Sequence, residues 1–347
     1  IWLRAASGNG IPHRVGSENI YFAMNRITLW EPDQVTQSAG PIRVDVTAWT
    51  GGVVVRGKEN CYAANNTGPP PYYLYTKGEN AIIAAAQRVD NGGVFAAGWI
   101  TSTAYDRWKA AASPSGAYMD VMLHSAMQWM VPGADNVLWY CGHNASFFAN
   151  ARATPVSPID NLLRVYLPNL GYTVDNENAI PITAAMLAGR DIVILANLDN
   201  GTVANGGDPS TLFDSEVSAI ENFVRAGGGL IVLDGGDYSG TGRYNMYHIS
   251  NKVLNKLGFN WRFQSDTLND NAKDNYGGVT YTFRARVLTD TAIGGGYLCG
   301  TGGSDNINEY SPCSLIETPT WSVDVVSILP SPQSGVSPAT LTYTVTI

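Results

Sequence analysis

The sequence predicts an α/β core, a mainly parallel sheet with helices on both faces, flanked by N- and C-terminal β-rich regions. Three observations lead there. "DIVILANLD" (191–199) is a continuous apolar run, as a strand covered on both faces requires. Between about 115 and 260 such strands alternate with stretches whose apolar residues recur at helical spacing. Toward both ends the period drops to two, in "IRVDVTAWT" (42–50) and "GVTYTFRARVL" (278–288). The expected division is a β-rich region over 1–75, the α/β domain over 76–275 and a second β-rich region over 276–347.

Each element has its own signals. "GGVVVRG" (51–57) is a short apolar strand, and "NNTGPPPYYLY" (65–75) a proline-stiffened connection. "NAIIAAAQRVDNGGVFAAGWI" (80–100) reads as a hairpin turning at Asn91-Gly92, placed at one edge of the sheet. In "YMDVMLHSAMQWMVPG" (118–133) Met119, Met122, Leu123, Met127 and Met130 share a helical face, and Pro132-Gly133 is the stop. "NVLWYCG" (136–142) is a strand. A helix follows with Ser157 as N-cap and Pro158 at its first position. "YTVD" (172–175) is a strand and "ITAAMLAGR" (182–190) a short helix. Asp214 then caps a helix that buries Val217, Ile220, Phe223 and Val224 and stops at Gly227. "LIVLDGG" (230–236) is the next strand. Ile249, Val253, Leu254 and Leu257 mark the inner face of one more helix. "WSVDVVSIL" (321–329) and "ATLTYTVTI" (339–347) complete the strands.

Composition narrows the function. Only 14% of residues are charged, the net charge is −8, and the 21 Lys and Arg are scattered. No basic cluster offers a phosphate footprint, which argues against a nucleic-acid partner. No apolar run reaches the roughly 18 residues that a transmembrane segment requires. The chain opens on Ile1, as a processed or trimmed product would. Low charge, abundant Gly, Thr, Tyr and Asn, and sequons at Asn65, Asn144 and Asn200 point to an extracellular or cell-surface glycoprotein.

Cys61, Cys141, Cys299 and Cys313 form no CxxC pair, which argues against zinc. Cys299 and Cys313 bracket a loop rich in Gly, Ser and Asn that a disulfide would staple. Cys61–Cys141 follows by elimination, and four buried thiols is the alternative.

Ligands of open α/β sheets sit beyond the carboxyl ends of the strands. There "WYCGHN" sets Cys141 and His143 two residues apart, a spacing that puts both on one side of a strand and permits a thiol–imidazole dyad. A half-buried thiol beside a structural histidine is the alternative. Asp199, Asp234 and Asp237 are oxygen ligands of the kind Ca²⁺ takes, and equally ordinary turn residues. No cofactor motif is present. His13, His124 and His248 are isolated and read as structural.

The run "DIVILANLD…FDSEVSAIENFVRAGGGLIVLDGGDYSG…NKVLNKLGF" resembles the class I glutamine amidotransferase-like superfamily. It is closest to the ThuA-like branch, which includes the domain of enhancin-type peptidases and of channel-associated factors. The resemblance covers residues ~77–270 and implies a flavodoxin-like core. Catalytic members carry a Gly-x-Cys-x-Gly nucleophile elbow. Here the corresponding turn is Asp234-Gly235-Gly236-Asp237, with neither cysteine nor serine, so acyl transfer through an elbow is not expected.

The expectation is a non-catalytic structural protein, a subunit of a surface layer or filament that self-assembles as a homopolymer through terminal strands such as 339–347. A secreted glycan-binding module is one alternative. A hydrolase or amidotransferase-like enzyme using Cys141 and His143, or an acidic metal site, is another.

Overall fold

The computed structural model describes residues 81–98, 118–143, 162–198, 207–236, 246–259, 261–264, 266–270, 282–310 and 313, and strand segments at 3–5, 27–29, 42–46, 52–57, 61–64, 315–317 and 321–325. The chain forms two compact units, one of residues 49–318 and one of residues 1–48 with 319–347. The expected boundaries near 75 and 275 therefore move outward. In the smaller unit, Leu3–Ala5 pairs antiparallel with Ile27–Leu29, and Ile42–Val46 with Trp321–Val325.

The larger unit carries, in chain order, strands β1 (Gly52–Gly57), β2 (Cys61–Ala64), β3 (Ile82–Val89), β4 (Gly92–Gly98), β5 (Asn136–Tyr140), β6 (Thr173–Glu177), β7 (Ile192–Ala196) and β8 (Gly229–Asp234). Five more follow: β9 (Trp261–Phe263), β10 (Thr267–Asp270), β11 (Thr282–Val287), β12 (Asn306–Tyr310) and β13 (Leu315–Glu317). Among the described residues the main sheet runs β12-β11-β1-β3-β4-β8-β7-β5-β6, with β13 joining β3 to β9 at its side. It is mixed. Neighbours from β4 to β6 are all parallel, and those from β12 to β4 all antiparallel.

β4, β7 and β8 are buried at every position, as their unbroken apolar runs require. This places the β3–β4 hairpin inside the sheet and not at an edge, because β4 also pairs with β8 from Gly93 to Gly98. The hairpin turn is Asp90-Asn91, one residue earlier than the sequence suggests, with Asp90 at a positive φ of 48°. Gly92 instead serves a close approach: a Cβ there would lie 2.0 Å from Val224 O and 2.4 Å from Gly228 O. β11 and β12, expected in a separate C-terminal region, extend the antiparallel half of this sheet.

Helix α1 (Met119–Met130) buries Met122, Leu123, Ala126, Met127 and Met130, the stripe its spacing predicts. Arg88 of β3 closes its C-terminus, donating to the carbonyl oxygens of Met130 and Trp129 while its guanidinium lies 4.4 Å over the Trp129 ring. The next helical segment is described only from Leu162, so Ser157 and Pro158 lie outside the described residues. Leu162–Tyr166 is a π turn followed by Leu167–Asn169. Pro168 has no N–H to offer the carbonyl one turn back, which favours this widened path. Thr183 caps the short Ala184–Leu187 helix, its hydroxyl accepting from Met186 N at 3.2 Å.

Helix α2 (Asp214–Arg225) buries Val217, Ile220 and Val224, with Phe223 partly buried. Its N-cap is Phe213 and not Asp214, which is the first helical residue and pairs with Lys252 at 2.8 Å. Helix α3 (Tyr247–Lys256) turns Ile249, Val253 and Leu254 inward. Helix α4 (Ala292–Gly300) forms from "AIGGGYLCG", which no propensity argument favours. It packs on α1, where Gly296 meets Ser125 and Gly300 meets Val121 without an intervening side chain.

Candidate functional site

The parallel half of the sheet reverses its winding at β5. The chain passes from β5 outward to β6, then returns across β5 to β7 and on to β8. The crevice beyond the carboxyl ends of β5 and β7 is thus the topological switch point, where α/β folds place ligands. Cys141, Gly142 and His143 leave β5 there, and Asn197 leaves β7.

His143 and Asn197 both hold positive φ, 51° and 45°, a conformation these two residue types tolerate better than most. The turn drives the His143 ring inward. Its Nε2 lies 2.7 Å from Glu216 Oε1, with both side chains buried. The same Glu216 oxygen accepts Ile182 N at 2.6 Å, and Glu216 Oε2 accepts Phe213 N at 2.8 Å. The last bond is the glutamate half of a capping box; Phe213 has no side-chain oxygen to supply the other half. With two amides donating to the carboxylate, Nε2 is the nitrogen that carries the proton toward it. The rings of Tyr140 and Phe213 each stand with their centroids 6.1 Å from that of His143.

Cys141 faces elsewhere. Its Sγ donates to Asn176 Oδ1 at 2.9 Å and reaches Glu177 O at 3.5 Å, both on β6. The two-residue spacing would align thiol and imidazole only if the strand continued through His143. β5 ends at Tyr140 and His143 sits in a turn. The structure therefore gives the two groups different partners. Tyr140 donates to Ala179 O at 3.2 Å, and burial, with the charges of Glu216, Cys141 and Glu177, pushes its phenol pKa upward.

At the end of β8, Asp234 is fully buried. Its Oδ1 accepts Gly235 N at 2.7 Å and Met246 N at 2.8 Å, which ties the start of the glycine turn to the residue preceding α3. Burial raises its pKa to about 6, against the opposing bonds from Met246, Ser250 and Gly235. Asp199 and Asp237, the other candidate Ca²⁺ ligands, lie outside the described residues. Among the described residues no three His, Cys, Asp or Glu side chains group as metal ligands would.

The remaining candidates separate. Cys299 is an exposed thiol in the last turn of α4 and Cys313 is buried, its N–H bonded to Gly98 O at 2.9 Å. The expected Cys299–Cys313 bridge is not formed: Cys299 is exposed at the end of a helix, whereas Cys313 is buried, its backbone bonded to Gly98. Cys141 is likewise a thiol, so the Cys61–Cys141 bridge is not formed either; the Cys61 side chain lies outside the described residues. So do Asn65, Asn144, Asn200, His13 and residues 339–347. His124 Nδ1 pairs with Tyr172 OH at 2.8 Å, a structural role, and burial lowers its pKa.

Sequence reasoning missed Glu216, the residue that organises this crevice. Its signal was present: a glutamate at the third helical position, the capping-box place. Among the described residues no helix is long and apolar enough to cross a membrane.

No family model matches the chain, and no curated protein matches it. Among solved structures it is similar to IMPa from Pseudomonas aeruginosa, determined in complex with an O-glycopeptide. The identity is 17%, the TM-score 0.31, and the match covers 75% of this chain and 24% of that one. The chain thus spans about a quarter of that protein's length, and a likeness at this level assigns neither fold nor activity.

Proposed function

We propose that this chain is a non-catalytic structural protein of the cell surface, in which a glutamine amidotransferase-like scaffold carries β-rich flanks that self-assemble. The observation that carries the reading is the state of the switch-point crevice. His143 is committed to Glu216, Glu216 to two backbone amides, and Asp234 to Gly235 and Met246. Catalytic acids, bases and nucleophiles must reach a substrate atom, whereas these groups serve the loops of their own fold. The absent elbow cysteine or serine supports the same reading, as does the low charge of an Asn- and Thr-rich chain. In this proposal the chain assembles as a homopolymer through terminal strands, with 339–347 as the donor segment.

Light scattering and negative-stain microscopy of the purified full chain test the proposal. Polymers of regular repeat are the expected result, and their loss on removing residues 338–347 identifies the donor strand. A strictly monomeric chain at high concentration overturns the assembly reading. Hydrolysis of an amide or ester substrate by the purified chain overturns the non-catalytic one, and its survival in His143→Gln would place that chemistry outside the switch-point crevice.

A further inference from the structure

Away from the switch point, α3 and β9 border an open groove of about 710 Å³. Its lining includes Ser210, Tyr247, His248, Lys252, Asn255 and Arg262, and no carboxylate residue is among the described lining positions. In a chain of net charge −8, the lining carries two cations, Lys252 and Arg262, and of these only Lys252 is paired with an acid among the described residues.

Arg262 is the distinctive member. Its Nη1 donates to the carbonyl oxygens of Phe259 and Trp261, the latter at 2.6 Å. Those bonds hold the guanidinium plane in place. They leave the Nε–Nη2 edge, which grips a planar carboxylate through two parallel N–H bonds, without a partner among the described residues. Burial lowers the Arg262 pKa to about 10, as expected of a cation partly stripped of water with no acid beside it. Lys252 differs, being tied to Asp214 at 2.8 Å and to Leu212 O at 2.6 Å, so its charge is compensated and it offers no free fork. The exposed His248 ring, backed by Tyr247 at a centroid distance of 4.1 Å, offers a flat surface along the helix. Asn255 is exposed on the same helix, and its amide adds donors and an acceptor suited to hydroxyl groups.

We propose that this groove is a binding site for a small carboxylate ligand, gripped by the Nε–Nη2 edge of Arg262 with its remaining polar groups against His248 and Asn255. Carboxylates of this size come as acidic sugars or as peptide C-termini, and both present the same planar anion. The inference does not depend on the reading of the switch-point crevice.

Isothermal titration of the full chain with glucuronate, N-acetylalanine, glucose and inorganic sulfate tests it. Saturable binding of glucuronate or N-acetylalanine is expected, at least tenfold tighter than glucose or sulfate. A tenfold preference for one of the two carboxylates assigns the source. Arg262→Lys keeps the charge and removes the fork, and should weaken binding at least tenfold. Because Arg262 also holds two carbonyl groups, Asn255→Glu provides a second variant that leaves those bonds intact. It places an acid on the rim and should weaken binding at least fivefold with an unchanged circular dichroism spectrum. Absence of carboxylate binding, equal binding of glucose or sulfate, or full affinity in both variants overturns the proposal.

Discussion

Glu216 Oε1 lies 2.7 Å from His143 Nε2, joining the first turn of α2 to the turn that leaves β5, with both side chains buried. One carboxylate thus gathers three chain segments, since it also accepts the amides of Ile182 and Phe213. Glu216→Ala would leave one buried and one part-buried N–H group and a buried imidazole without an acceptor. Buried donors stripped of their partner cost about 1–3 kcal/mol each, part of it recovered by relaxation. The expected loss is about 3–4 kcal/mol in urea unfolding, with Glu216→Gln losing less because it retains an acceptor oxygen. A loss under about 1 kcal/mol in the alanine variant would show that water replaces the carboxylate.

The thiols should separate by reactivity. Cys141 is buried with its Sγ donating to Asn176, while Cys299 is exposed. Iodoacetamide at neutral pH is expected to label Cys299 in the native chain and Cys141 only after unfolding. Peptide mapping by mass spectrometry reads both sites in one experiment. Rapid native labelling of Cys141 would revive a reactive thiol in the crevice.

Asp234 gives the protein a pH dependence of definite sign. Its folded-state pKa is raised by burial to about 6, above the ordinary carboxylate value, so the folded state holds the proton more tightly than the unfolded one. Its contribution to stability is complete below about pH 4 and is lost as pH rises toward 6. Two units correspond to about 3 kcal/mol as an order of magnitude. Asp120, also buried and raised to about 6, acts in the same direction. Asp234→Asn keeps the Oδ1 acceptor for Gly235 and Met246 and removes the titration. Relative to the wild type it should gain stability between pH 4 and pH 7, measured by urea unfolding at each pH. A difference that does not vary with pH would rule out Asp234 as the titrating group.

Gly92 supplies a steric test of the hairpin's place inside the sheet. A methyl there meets two backbone oxygens, Val224 O at 2.0 Å and Gly228 O at 2.4 Å, and neither can swing aside as a side chain would. Gly92→Ala is expected to cost about 3 kcal/mol, the upper range for overpacking. Alanine at Gly133, where nothing lies within 4 Å of the added carbon but φ is +79°, should cost only the smaller conformational penalty. Equal melting temperatures for the Gly92 variant and the wild type would refute the close approach.

Much of the core was legible because its signals are local. The Met122–Met130 stripe, the apolar run of β7 and the inner face of α3 each state burial within one element. Helix α4 was not legible: its glycines carry no helical propensity, and the element forms because Gly296 and Gly300 let it lie close against α1. The Cys141–His143 pairing failed for a related reason. Spacing predicts a shared face only while a strand persists, and the left-handed turn at His143 ends that regularity.

From the sequence alone came the alternation of buried strands and amphipathic helices, and the absence of a nucleophile in the turn after "LIVL". Only the tertiary structure decided that β4 takes the place beside β8, that Glu216 receives the His143 ring across 73 positions of sequence separation, and that Arg262 spends its Nη1 on two backbone carbonyl groups. The physical reason is range. Periodicity, capping and turn chemistry act within a few residues, whereas strand order and buried polar partners depend on which distant segments the chain brings together, and no short stretch encodes that choice.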